Sequence, residues 1–341
     1  MKKIHKFCLL FTVLTLCTIP VWAEKANVVY VEGSAQIKTG AGVTKNAAIG
    51  HTVTYGESVI TGRGGLVEMT LENGSTIRVT PNSVFNYSNT GSGADTQPVL
   101  AAAAGQIAFK LNRAAGNSPL IQTNSMVGGV RGTEFTIYAG RDGSVLLSVI
   151  EGIVDVTAQG KTVSLIKDEA VEVGAGQPPG EKFLWPGREL DFSDWNKGKT
   201  DGFIADPAGG LEKAAVMLKE YQTSLDALHA PYQDATEKWR QSAEEYKTLL
   251  AGGDDEAIKA FQQEKLFPAQ DERADLILTI RYYALNYLSV RRYVLSNMYM
   301  EMKSRYPVNR PAEVEQFFTR HAELLAEYEE FIVPELNPND Y

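Results

Sequence analysis

The residues whose types and spacing could support chemistry lie in one motif and its partner segment: Arg131, Gly132, Thr133, Phe135, Glu151 and Gly152. A threonine hydroxyl becomes a nucleophile only when a neighbouring base takes its proton, and no motif places a base beside Thr133. Arg131 could form an ion pair with Glu134 or Glu151, or bind a partner. We therefore predict that the motif is structural or binds a partner, and that it is not catalytic.

The rest of the sequence contains few catalytic signals. Three histidines, His51, His229 and His321, occur in unrelated settings, which does not indicate a zinc site. The sequence has no Gly-x-Ser-x-Gly motif, no P-loop and no Gly-x-Gly-x-x-Gly segment that opens a helix. We therefore predict a protein that is not an enzyme and that binds neither a metal ion nor a cofactor.

The motif needs strands to position it, and the surrounding residues predict them. Apolar residues alternate with polar ones before and after a Gly-Arg-Asp-Gly turn at residues 140–143. This pattern is typical of a tight hairpin with one buried face. Gly132 and Gly152 interrupt the two strands, where we expect a bend or a close approach of two backbones.

The order Arg-Gly-Thr-x-Phe, then Glu-Gly-x-Val-x-Val, resembles the signature of the FecR domain family. The resemblance covers roughly residues 26–175 and implies a rolled, non-catalytic β module that binds other proteins or an envelope polymer. Sensors of that family have a cytoplasmic sigma-binding segment and one transmembrane helix, and their periplasmic domain contacts an outer-membrane receptor. This chain matches only the periplasmic part, so the resemblance does not by itself imply direct transmembrane signalling.

Residues 24–175 are predicted to form an all-β domain. They are rich in Gly, Val, Thr and Ile, and their short alternating runs end at Gly, Asn-Gly or Asp-Gly. Residues 31–37 match residues 150–156 position by position, which favours a rolled, β-solenoid-like arrangement. Prolines and glycines at residues 174–180 then end the β region.

Residues 176–205 form an aromatic-rich segment, and three of its aromatic residues are candidate ligand-facing side chains: Trp185, Phe192 and Trp195. Aromatic side chains of this size each bury ~150–250 Å², so we do not expect them to be fully solvated. One interpretation is a strap or linker that packs on the β domain or on the helices. The other is an aromatic platform that binds sugars.

Residues 206–341 are predicted to form an all-α helical bundle. Asp206 is a favoured helix cap and Pro207 a favoured first residue, and apolar residues then recur at helical spacing. Pro231 should kink or divide the first helix. Because a kink disfavours a long straight coiled coil, we expect this region to be monomeric.

The amino terminus predicts export. Residues 1–23 contain three lysines, an apolar run too short to span a membrane, and a small-residue cleavage site ending at Ala23. Lipidation at Cys17 is disfavoured because Leu16 is larger than the residue that normally precedes a lipidated cysteine. Cleavage after Ala23 removes both cysteines and moves the formal charge from −9 to −12. We expect no transmembrane segment after the cleavage site, because no later stretch of the sequence is long and apolar enough.

These observations predict a periplasmic, non-enzymatic protein of the cell envelope. The strongly acidic balance argues against nucleic acid as a partner. The favoured function is a FecR-like adaptor, scaffold or sensor module that binds another envelope protein. The alternative is a module that binds glycans or peptidoglycan through the aromatic segment.

Overall fold

The computed structural model describes residues 25–90, 97–112, 118–186 and 190–335. A β-rich amino-terminal region is followed by a helical carboxy-terminal region, which confirms the predicted order of the two classes. The predicted signal peptide at residues 1–23, with Cys17, lies outside the described residues. Within the described ranges, no helix has both the length and the apolar character needed to cross a membrane.

The β region, which we call the β domain, is built from strands β1 to β15. In chain order they are Ala26–Glu32, Ala35–Lys38, Thr44–Asn46, Thr52–Val53, Glu57–Thr61, Leu66–Leu71, Thr76–Val79, Val84–Thr90, Gln97–Lys110, Leu120–Gln122, Val127–Ala139, Val145–Ala158, Lys161–Ile166, Glu169–Val173 and Phe183–Leu184. All of these described strands belong to one sheet, whose main path runs β15-β14-β12-β11-β10-β9-β7-β6-β1-β4. Neighbouring strands are antiparallel except β9 and β10, which are parallel.

The β domain encloses its own hydrophobic core. Alternate residues point inward in strands such as β2, β6 and β7, as the sequence pattern predicts, and the largest side chains of the core are aromatic. The rings of Phe109 and Phe135 stack with their centroids 5.0 Å apart, and Phe85 lies 6.4 Å from Phe109. Offset aromatic pairs of this kind stabilise a core beyond the area that they bury.

Six α-helices and two π-helical segments occur among the described residues of the helical region. The helices α1 to α6 are Phe192–Ala205, Pro207–Gly252, Asp255–Phe261, Phe267–Ser289, Ser296–Arg305 and Ala312–Glu335. The π-helical segments Gln262–Leu266 and Val290–Leu295 join α3 to α4 and α4 to α5. Residues from α1, α2, α4, α5, α6 and the second π-helical segment share one hydrophobic core.

Helix α2 begins where its sequence predicts and ends at a glycine in the left-handed conformation. The Asp206 carboxylate accepts a hydrogen bond from the Gly209 N–H at 2.9 Å, and Gly253 ends the helix with a φ of 71°. The expected division at Pro231 does not occur, because the helix continues through this residue for 46 residues in all. Its buried residues lie between Gly210 and Ala235.

The segment 176–205 contains a helix that the sequence analysis did not anticipate. Asp191 caps α1 by accepting hydrogen bonds from the N–H groups of Ser193 and Asp194, at 2.9 and 3.2 Å. Helical structure therefore starts before Asp206. The segment connects the two regions, because Phe192 and Trp195 pack on the sheet whereas Phe203 enters the helical core.

A buried polar turn between β10 and β11 holds the helical region against the β domain. The Asn124 amide donates to the Ala103 carbonyl at 2.9 Å and accepts a hydrogen bond from the Ser289 hydroxyl of α4 at 2.8 Å. Asn124 and Ser289 are 4% and 6% exposed. Because water does not reach these groups freely, each depends on the other to satisfy its hydrogen bond.

Candidate functional site

The predicted glycine bend is a bulge where β11 and β12 approach each other. The pairing register shifts between Arg131 and Glu134, and Gly132 and Gly152 have φ angles of 56° and 87°. A Cβ atom on Gly152 would lie only 2.6 Å from the Gly132 carbonyl oxygen. Both glycines therefore allow a backbone contact that a side chain would prevent.

Thr133 lies inside this bulge and is 2% exposed. Its N–H donates to the Leu111 carbonyl at 3.1 Å, and its own carbonyl accepts from the Leu111 N–H at 2.8 Å. Its hydroxyl oxygen has no hydrogen-bond partner among the described residues. A hydroxyl without an adjacent base is not an activated nucleophile, and the backbone contacts of Thr133 support a structural role.

Two charged residues of the motif segment, Glu134 and Glu151, have described side chains. Glu134 forms an ion pair with Lys110, whose Nζ lies 3.2 Å from its Oε2. Glu134 also lies directly opposite the exposed Glu151 in the strand register. The side chain of Arg131 lies outside the described part of the chain, so its predicted pairing is not tested.

A groove on the outer face of the sheet connects the motif with the aromatic segment, and we call it the sheet groove. It encloses about 940 Å³. Its floor is a row of small residues, in which Thr136 lies opposite Ala108 on one side and Ser148 on the other. Because successive residues alternate between faces, these residues point away from the core that contains Phe135.

The two ends of the sheet groove have different chemistry. Glu134 lies at the end near the motif. Arg78 flanks the floor, because it lies opposite Ala108 in the register of β7 and β9, and it forms an ion pair with Glu68 at 3.3 Å. Tyr138 and Trp185 form the other end. The groove is therefore an open surface that offers small hydroxyl groups, an aromatic wall and charges to a partner.

The candidate aromatic residues fall into two groups. Trp185 is half-buried and lines the sheet groove, next to the exposed Phe183 at a ring separation of 5.9 Å. Phe192 and Trp195 lie behind this wall, where the Phe192 ring stacks on Tyr138 at 6.3 Å. Of the three, Trp185 alone is a lining residue of the groove, and the others support its wall.

Sequence reasoning missed the floor of the groove. Ala108, Thr136 and Ser148 are common residues at outward positions of three different strands. They become neighbours only through the register of β9, β11 and β12. The one available signal was that these outward positions carry small rather than charged residues.

The described residues contain no cluster of three or more His, Cys, Asp or Glu side chains that could hold a metal ion. Trp185, Glu134 and the floor residues can contact a bound partner, but they do not supply the set of ligands that a metal ion needs. The groove can bind an elongated partner through apolar contact with Trp185, hydrogen bonds to the floor hydroxyl groups and the charge of Glu134.

Residues 57–155 match a family model described as FecR protein. This part of the chain is therefore similar to a FecR domain. This finding confirms the resemblance seen in the sequence. The matched residues include the bulge at Gly132 and Gly152, the stacked Phe135 and the floor of the sheet groove.

Two crystal structures of a proposed anti-sigma factor from Parabacteroides distasonis ATCC 8503 are similar to part of the chain. Both share 18% sequence identity with it, at TM-scores of 0.33 and 0.34. The matches cover 38% and 41% of this chain and 60% and 65% of those chains, so less than two thirds of their length is spanned. The comparison with curated proteins found no match.

Proposed function

We propose that the chain is a non-enzymatic adaptor or sensor module that binds another cell-envelope protein through its FecR domain. The sheet groove is the observation that carries this proposal. It is continuous from Glu134 to Trp185, and its described lining residues belong to strands and loops of the β domain and to the segment before α1. An extended polypeptide matches this spacing. The groove residues Glu134, Thr136 and Tyr138 occur at every second position of β11, which is also the side-chain period of an extended chain.

The proposal includes export to the periplasm with cleavage after Ala23. It is supported by the charged, apolar and small-residue order of residues 1–23. We also keep the finer descriptions of the fold as proposals: a β-solenoid-like β domain, and an antiparallel helical bundle that is monomeric. Sedimentation equilibrium of residues 206–341 tests the last of these, and a stable dimer would contradict it.

A glycan is the second candidate for the groove, and Trp185 favours it. An aromatic ring beside the hydroxyl groups of Thr136 and Ser148 is a chemical combination that also suits a sugar ring. We rank this function second because only one of the three candidate aromatic residues lines the groove.

Site-specific crosslinking distinguishes the two functions. A photoreactive benzoylphenylalanine in place of Ala108 lies on the groove floor, and the same residue in place of Gln36 lies on the exposed side of β2 as a control. We expect one dominant protein adduct from position 108 in periplasmic extracts, and none from position 36. Co-sedimentation with cell-wall sacculi that is lost in Trp185→Ala would instead support the glycan function.

A blocking variant gives the matching loss of function. In a chain that carries the benzoylphenylalanine at Ile150, an exposed lining residue of the same groove, Ala108→Arg fills the groove, whereas Gln36→Arg adds the same charge elsewhere on the β domain. Only the first change should remove the adduct, with strand circular dichroism retained in both. If both variants keep the adduct, the groove is not the binding surface.

A further inference from the structure

A second cavity lies between the β domain and the helical region, and we call it the interface cleft. It encloses about 320 Å³, within the range of ~300–1,000 Å³ typical of small-molecule sites. Six residues from two helices form one wall: Glu220, Tyr221, Ser224, Thr279, Tyr282 and Tyr283. The opposite wall comes from the sheet and includes Ser125, Met126, Thr157 and Ala158.

Three aromatic rings from α2 and α4 line this cleft. Tyr282 and Tyr283 of α4 contact each other edge to face, with ring centroids 5.0 Å apart and an interplanar angle of 71°. Tyr221 of α2 lines the same wall. Burial raises the pKa of Tyr221 and of Tyr282 well above the ordinary tyrosine value, so both phenols stay uncharged. Neutral aromatic rings carry negative charge density on their faces, which attracts cations.

Glu220 adds a carboxylate at the open side of the cleft. Its Oε2 accepts a hydrogen bond from the Gln159 amide at 2.6 Å. Glu220 is exposed to solvent. Partial burial of its carboxyl by the surrounding protein nevertheless raises its pKa, and the hydrogen bond from Gln159 acts in the opposite direction. The described lining residues include no lysine, arginine or histidine. The negative charge therefore has no cationic partner within the cleft.

We propose that the interface cleft binds a small organic cation of the quaternary ammonium class. Such a cation gains attraction from the tyrosine faces and from Glu220, and its methyl groups fit the remaining apolar wall. A metal ion is less suited, because hard cations need several oxygen ligands and Glu220 is the only carboxylate among the described lining residues. An anion would meet Glu220 without a compensating positive charge.

Isothermal titration calorimetry of the mature full chain with two matched probes tests this proposal. Choline carries a trimethylammonium group, and 3,3-dimethyl-1-butanol has the same shape without the charge. We expect choline to bind at least about tenfold more tightly than the alcohol. Glu220→Gln and Tyr283→Leu should each weaken choline binding by about tenfold. Equal affinity for the two probes, or no choline binding at millimolar concentration, would overturn the proposal.

Control variants separate this site from general effects of charge and folding. Glu237→Gln removes an exposed carboxylate from the same helix, where Glu237 pairs with Arg240 at 2.8 Å, and should leave choline affinity unchanged. Ser224→Lys places a tethered ammonium group at the cleft and should abolish binding, even if Glu220→Gln does not fold. Ala108→Arg blocks the sheet groove and should not affect choline, so the two sites can fail independently.

Discussion

The β domain and the helical region are stabilised in different ways. The core of the β domain is formed by residues of that domain alone, including the stacked pair Phe109 and Phe135. The helical core instead includes Ala175, which belongs to the β region. The Met217 sulfur of α2 also lies 3.1 Å from the Ser125 hydroxyl oxygen. The helices therefore use the sheet as part of their support, whereas the sheet does not need the helices for its own core.

This difference indicates an order of dependence between the two regions. A domain with a separate core can fold alone, whereas a region that shares buried surface with a neighbour loses stability without it. We expect the β domain to be the independent unit.

Gly152→Ala should unfold the β domain most readily. The new Cβ atom would lie 2.6 Å from the Gly132 carbonyl oxygen, at a φ of 87° that alanine disfavours. We expect a loss of about 3 kcal/mol or more in the free energy of unfolding. Gly160→Ala is the matched control, because its φ is 71° but no atom lies within 4 Å of the added carbon. Chemical denaturation followed by strand circular dichroism measures both, and equal losses would show that strain alone, not the contact, matters.

The aromatic segment should stabilise the β domain when it is retained. A fragment of residues 24–205 contains α1, whose Phe192 and Trp195 cover Tyr138, whereas a fragment of residues 24–175 does not. Burial of large aromatic side chains contributes about 1.5–3 kcal/mol each, so the longer fragment should melt several degrees higher. Trp195→Ala in the longer fragment should remove much of the gain. Identical melting temperatures for the two fragments would show that the segment does not pack on the sheet in solution.

Asn124→Ala should loosen the helical region without unfolding the sheet. The change removes the acceptor of the Ser289 hydroxyl and the donor to the Ala103 carbonyl, at a cost of about 1–3 kcal/mol. Hydrogen exchange should increase in α4 more than in β9 and β11. Combination with Ser289→Ala in a double-mutant cycle should give a coupling of about 1 kcal/mol. Additive losses would mean that this hydrogen bond does not join the regions.

His321 should make the helical region sensitive to acid. It is 5% exposed, one ring nitrogen lies 3.1 Å from the Leu295 carbonyl oxygen, and burial lowers its pKa below the ordinary 6.5. The folded state binds a proton on His321 less readily than the unfolded state does. The stability that neutral His321 contributes is therefore fully present above pH 6.5 and is lost as the pH falls through the lowered pKa. The expected loss is about 1 kcal/mol or less. Helical melting at about pH 7.5 and about pH 5.5 measures it. His321→Phe should abolish the dependence, and persistence of the same dependence would assign it to another group.

The sequence predicted local structure better than it predicted proximity. Alternation and turn residues predicted the hairpin that carries Phe135, and Asp206 with Pro207 predicted the start of α2. The sheet groove was not predictable, because Ala108 and Ser148 are 40 residues apart and meet only through strand register. Periodicity describes which face a residue occupies, but not which strands become neighbours.

The errors in the helical region have local causes. Pro231 lacks one backbone donor, and a helix packed on neighbours can absorb that loss, so α2 continues. The cap at Asp191 was hidden among aromatic and charged residues whose helical period is weak. The interface cleft depends on the approach of α2 to α4, which no local pattern encodes.

The length of α2 has a mechanical consequence. Its 46 residues span roughly 69 Å, but its buried residues end at Ala235. Beyond that point it is braced by α3 and α4, for example where the Arg273 guanidinium lies 4.9 Å from the Trp239 ring. A tilt of about 5° where the helix meets the sheet would move its far end by roughly 6 Å. Because of this length, any change in the tilt of α2 beside the β domain would be amplified at its far end.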